Sequence, residues 1–155
     1  MVDYVVNPKT TPPSDLTGTA FSHLDVRWLV NDIRQGAELV GVGQTIYPAR
    51  GGTHEHHLHP DAEEVVIVMS GYGWHRVGAK IYNIFPGDVV FVPKNTPHSA
   101  CCTSKEDMVI LWVLGGVSSL ERAGYQSVAE VLPCTTRTKF QKQPKRFLRI
   151  SICII

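Results

Sequence analysis

From Phe21 onward the chain reads as short runs of β-branched and aromatic residues, DVRWLV, AELVGVGQTIY, EEVVIVM, GWHRV, KIYNI, DVVFV, SACCT and DMVILWVL, punctuated by Gly, Pro, Asn and Asp. Many short strands at this spacing predict an all-β sandwich or barrel. VVIVM and MVILWVL are apolar at both alternating positions. Both of their faces should therefore be covered, one lining a barrel and the other packing on a second sheet, a helix or a subunit. Helical signal gathers only at VSSLERAGYQSVAEVL, with a Ser N-cap candidate, Leu120, Tyr125, Val128 and Val131 at loosely helical spacing and Gly124 inside. The prolines and turn formers of NPKTTPPSDLTGT, residues 7–19, predict an extended arm without a core. The expected organisation is an arm over 1–20, a β-barrel domain over 21–116, a short C-terminal helix over 117–132 and a tail over 133–155.

Composition supports one barrel and not two domains. With 155 residues, 43% of them hydrophobic and 19% charged, the chain can bury one core. No apolar run reaches the roughly 20 residues that cross a bilayer. The start, MVDYVVNPKTTPPSD, lacks a basic segment followed by an apolar one. The expectation is a cytoplasmic protein without membrane contact. Cys101, Cys102, Cys134 and Cys153 show no C-x-x-C pairing, and are read as reduced thiols. The net charge of +1 hides an asymmetry: residues 131–155 carry six basic side chains and no acidic one, leaving the body at −5. Without the stacked aromatics of nucleic-acid modules, this tail reads as a solvated extension, and no nucleic-acid partner is expected.

The chemistry concentrates between Gly51 and Gly71, in GGTHEHHLHPDAEEVVIVMSG. Side chains alternate along a strand, so His57 and His59 can point one way while Leu58 points the other. Two imidazoles on one strand face are half of a metal site. The next strand opens with Glu63 and Glu64, of which alternation lets only one face the interior. Pro93 and Pro97 bracket a turn that presents His98 at the start of another strand. Three imidazoles and a carboxylate suit a transition metal better than Ca or Mg.

The spacing Gly51-x5-His57-x-His59-x4-Glu64-x6-Gly71 resembles the first motif of the cupin superfamily, and Gly87-x5-Pro93 followed by His98 resembles the second. Starting instead from His54 and His56 leaves Asp61 in the carboxylate slot and no glycine where the motif has one. Two positions depart from the pattern: Asn95 stands where the family usually has Gly, and Cys102 where it often has Asn. Asn tolerates the left-handed backbone that favours glycine. The resemblance covers roughly residues 37–115. It implies a double-stranded β-helix (jelly-roll) barrel of the small single-domain kind, with His57, His59, Glu64 and His98 as ligands of one divalent transition metal per chain. Fe(II) is the first expectation, and Mn, Zn, Ni or Cu are alternatives.

His54 and His56 are expected at the surface or pocket rim, and Glu55, Asp61 and Glu63 on the solvated side. Tyr47, Trp74, Phe91, Cys102 and Trp112 are candidates for the pocket wall, and the neighbouring His75 sits on a barrel strand. Open positions on such a metal favour a small, oxygen-rich substrate that binds as an enolate, keto acid, diketone or phenolate. The resemblance implies a metal-dependent oxidoreductase, a dioxygenase first, with a lyase or isomerase and a non-catalytic binding protein as alternatives. A homodimer is expected from the strands that are apolar on both faces.

Overall fold

The computed structural model describes residues 4–128. The apolar runs form the strands they predict: β1 Asp25–Val30, a one-turn α1 Asp32–Gln35, β2 Val40–Tyr47, β3 His57–Leu58, β4 Glu63–Ser70, β5 Gly73–Val77, β6 Lys80–Ile84, β7 Val89–Val92, β8 His98–Cys102, β9 Met108–Gly115 and β10 Gln126–Ser127. They pair antiparallel into two five-stranded sheets, ordered β1-β2-β9-β4-β7 and β10-β3-β8-β5-β6. This is the all-β double-stranded β-helix barrel. Strand alternation builds the core between the sheets: Val66 and Val68 of β4 and Met108, Ile110, Trp112 and Leu114 of β9 point inward and are buried.

One crowded point shows how local sequence sets this packing. Gly43 of β2 lies opposite Trp112 of β9, and a Cβ there would stand 2.0 Å from the indole Cζ2. Only glycine leaves the ring its place, where it meets Trp28 edge-to-face at 4.7 Å and donates from Nε1 to Thr45 Oγ1 at 3.0 Å.

Three expectations change. The helix over 117–132 does not form in the described part: residues 120–124 make a single turn, closed by Gly124 at φ +68°, and the chain then enters β10, which pairs with β3. A glycine inside the apolar pattern ends the helix there. Residues 129–132 and the basic tail 133–155 lie outside the described residues. Second, the arm is tied to β1: Ser14 donates its N–H to Val26 O at 2.7 Å, and Arg27 Nη1 donates to Pro8 O and Thr11 O, both at 2.9 Å. Third, Cys101 is disulfide-bonded and not a reduced thiol, whereas Cys102 is a buried core residue. Cys134 and Cys153 lie outside the described residues. The helix α1 was not predicted. Asn31 caps it by accepting from Arg34 N–H at 2.8 Å, and Gly36 ends it at φ +68°.

Candidate metal centre

Pairing between β3 and β8 sets His57 directly opposite His98. Two residues on from His57, His59 reaches the same interior, and its carbonyl accepts the N–H of Asn95 at 2.8 Å. Asn95 itself is left-handed, φ +56°, as its place in the second motif requires. From the opposite sheet, β4 turns Glu64 inward and buries it, while Glu63 is exposed. The four ligand atoms lie within 4.8 Å of one another, close to the roughly 4 Å spread set by metal bonds of about 2 Å.

The polar atoms around this point behave as ligands. His57 Nδ1 is 3.0 Å from Glu55 O and His98 Nδ1 is 2.9 Å from Thr96 O, so each ring donates through Nδ1 and frees the Nε2 lone pair. His98 Nε2 stands 2.8 Å from Glu64 Oε2, yet neither atom has a well-aligned hydrogen bond, and His59 Nδ1 is buried without one. Buried groups left in this state cost about 1–3 kcal/mol each. Two nearly touching groups without mutual alignment fit a pair aimed at a common ion. The residues present therefore suit a transition metal.

Electrostatics agree with that geometry. Burial would raise the Glu64 carboxyl, but His98, His59 and His75 outweigh it and hold it down at about 2. Burial pushes His98 down, and the Glu64 carboxylate more than reverses this, so its pKa is raised. His57 is driven well below the usual imidazole range by burial and by the neighbouring His54 and His98 rings. Burial brings His59 and His75 down to about 4. Neutral His57 and His59 beside an ionised Glu64 are the protonation states that a divalent cation needs, and His98 would give up its proton to such an ion.

A cavity of about 110 Å³ opens from the cage. Tyr47 and Trp112 line it. Trp74 does not: it has the opposite strand parity to His75, which takes the cavity face. Phe91 points outward and is 54% exposed, since Val90 and Val92 occupy the inner parity of β7. Cys102 is in the core, its sulfur within 3.3 Å of Ser104 Oγ and 3.4 Å of Glu106 O. It shares parity with His98 but sits four residues further along, about 13 Å away on a strand.

His54 and His56 are outside the ligand cluster, as expected, but neither is exposed. His54 lines the cavity, with Nδ1 2.6 Å from the Tyr47 hydroxyl. Sequence reasoning missed Phe21, Trp28 and Tyr125, all lining residues. Tyr125 stacks on His57 at 4.7 Å and donates to Glu55 Oε1 at 2.5 Å. Its only signal in the sequence was an aromatic next to a turn glycine, and that spacing read as a helix face.

The cupin domain family matches residues 44–114. No curated protein sequence matches the chain. Among solved structures, an uncharacterised double-stranded β-helix protein from Klebsiella pneumoniae superposes with a TM-score of 0.65 at 15% identity, over 83% of this chain and 99% of that one. A predicted oxalate decarboxylase from Thermotoga maritima gives 0.62 at 21%, over 73% and 99%. The polyketide cyclase RemF from Streptomyces resistomycificus gives 0.67 at 17%, over 84% and 88%. At such identities these likenesses speak for the fold alone. The family match places a cupin domain over residues 44–114, the stretch that holds His57, His59, Glu64 and His98.

Proposed function

We propose that this protein is a metal-dependent oxidoreductase, a cupin dioxygenase acting on a small enolic, diketone or phenolic substrate at a mononuclear centre held by His57, His59, Glu64 and His98. The observation that carries the proposal is the convergence of these four buried side chains beside a cavity that His57, His59 and Glu64 line. One carboxylate leaves a divalent ion with a net charge of +1, which favours a substrate oxygen that is anionic when bound. Fe(II) in such a site supplies activation of dioxygen beside the substrate.

The chain's own residues do the rest. Glu55 O and Thr96 O fix the orientation of the His57 and His98 rings. Tyr125 and Phe21 pack over His57 and exclude water from that side. Within the cavity, the Tyr47 hydroxyl stays protonated, because burial first and the Glu64 charge second raise its pKa well above the usual phenol range.

Elemental analysis of protein purified without chelator should find about one transition metal per chain. Dioxygen uptake is then measured with a panel of diketones, keto acids and catechols. One O2 consumed per substrate turned over, with both atoms found in product by isotope labelling, is the expected result. Turnover of the same panel without O2 uptake would reassign the chain to redox-neutral lyase or isomerase chemistry. A folded protein that binds no metal would sink the enzyme reading altogether.

A further inference from the structure

Beyond the cage, the cavity wall is almost wholly apolar. Leu24, Val26, Trp28, Val66, Ile110 and Leu114 supply much of it, and among the described residues no Lys or Arg lines it. A second carboxylate on a substrate would be buried there without a counter-ion, which costs several kcal/mol. The volume of about 110 Å³ is of the order of the ~150 Å³ apolar cavity that takes up benzene. One ring fits, and a small dianion is poorly matched.

A polar handle stands beside the cage. His54 Nε2 is buried without a hydrogen bond, while Nδ1 lies 2.6 Å from the Tyr47 hydroxyl. In the tautomer in which that hydroxyl donates to Nδ1, Nε2 carries the proton and is a neutral donor. The His54 ring lies 4.8 Å from His57 and 6.5 Å from His98, centre to centre, which sets it beside the cage. A neutral donor suits a carbonyl or enol oxygen.

Resting on the metal-centre reading above, we propose that the cavity is a ring-binding subsite. The substrate is a single-ring, largely apolar molecule that presents an enol, diketone or phenol oxygen to the cage and to His54 Nε2, and bears no second negative charge.

The test uses acetylacetone and benzoylacetone, which share one diketone head and differ by a methyl against a phenyl, with oxalate as a ring-free dianion. Binding to Mn(II)-loaded protein is measured by calorimetry and by quenching of tryptophan fluorescence, since Trp28 and Trp112 line the cavity. Benzoylacetone should bind about tenfold or more tighter than acetylacetone, and tighter than oxalate. A phenyl-to-methyl ratio near one, or oxalate as the tightest ligand, would overturn the proposal. His54→Ala should keep the metal and weaken both diketones severalfold at an unchanged ratio. Unaltered affinities would remove His54 from the subsite.

A metal-free arm separates this proposal from the metal reading. Benzyl alcohol should quench the tryptophans of chelator-treated protein saturably, and Val26→Phe, which fills the cavity, should abolish that quenching. If no metal binds but benzyl alcohol does, the metal reading fails while the ring subsite stands. If metal binds and neither ring probe shows a preference, the subsite fails alone. The diketone ratio needs only the unaltered chain, so a misfolded Val26→Phe leaves the test intact.

Discussion

Acid should unfold the metal-free barrel far more readily than its core suggests. Four histidines that face one interior, His54, His57, His59 and His75, are kept neutral chiefly by burial. A ring whose folded pKa lies below the unfolded value of 6.5 takes up its proton only on unfolding. Its stabilisation is complete above pH 6.5 and is lost as pH falls toward the folded value. Each such proton tilts stability by about 1.4 kcal/mol per pH unit. For His59 and His75, held at about 4, the full loss is at most about 3 kcal/mol apiece. Halving this for water penetration leaves roughly 3 kcal/mol for the pair, against about 5–15 kcal/mol for a whole domain. Glu64 adds nothing in this range, because its stabilisation is complete above pH 4.5 and fades only toward about 2. His98 acts oppositely, its contribution being complete below 6.5 and lost as pH rises through its raised value. Urea titrations of chelator-treated protein at half-unit steps from pH 7.5 to 5 measure the slope. Two or more protons taken up between pH 6.5 and 5 are expected, and His75→Gln should reduce that number by about one. A slope below one proton, or one unmoved by His75→Gln, would refute the reasoning.

Removing a ligand should be sharply position-dependent: His57→Ala and His98→Ala should lower the metal content of purified protein at least tenfold, by elemental analysis, while His54→Ala keeps most of it. Gly43→Ala places a methyl 2.0 Å from Trp112 and should destabilise by about 1–3 kcal/mol, read as a lower urea midpoint with altered near-ultraviolet circular dichroism. The homodimer proposed for this chain would use the outward face of the first sheet, where Val42, Val113 and Val65 lie side by side across β2, β9 and β4 and Ile67 adjoins them. Light scattering should give twice the chain mass, and Ile67→Lys should return a monomer; a monomeric unaltered chain at micromolar concentration would end that proposal.

The ligand set was legible because cupin motifs pack it into local spacing. Alternation lets only one of Glu63 and Glu64 face the interior, the motif resemblance picks Glu64, and a left-handed Asn95 follows from the turn it occupies. Strand positions were legible for the same reason, since a period of two is a property of one segment. The pocket wall was not. Trp74 and His75 are adjacent, both buried, and only the pairing of β5 with β8 says which of them sees the cavity. Cys102 has the right parity but the wrong depth, a coordinate along the strand that alternation does not carry.

That contrast marks a division within the barrel. The cage is drawn from β3, β4 and β8 and the turns that join them, where any shift of register would flip a ligand to the other face. Part of the cavity wall comes from outside the barrel strands: Ser14, Phe21 and Leu24 before β1, and Leu120 and Tyr125 around the turn closed by Gly124. Neither segment is bound by strand alternation. Tyr125 joins the two parts, stacking on His57 while its hydroxyl binds Glu55, whose carbonyl orients the same His57 ring. A substitution in the arm should therefore alter which ring is bound and leave metal content alone, whereas a change at Tyr125 should be felt in both.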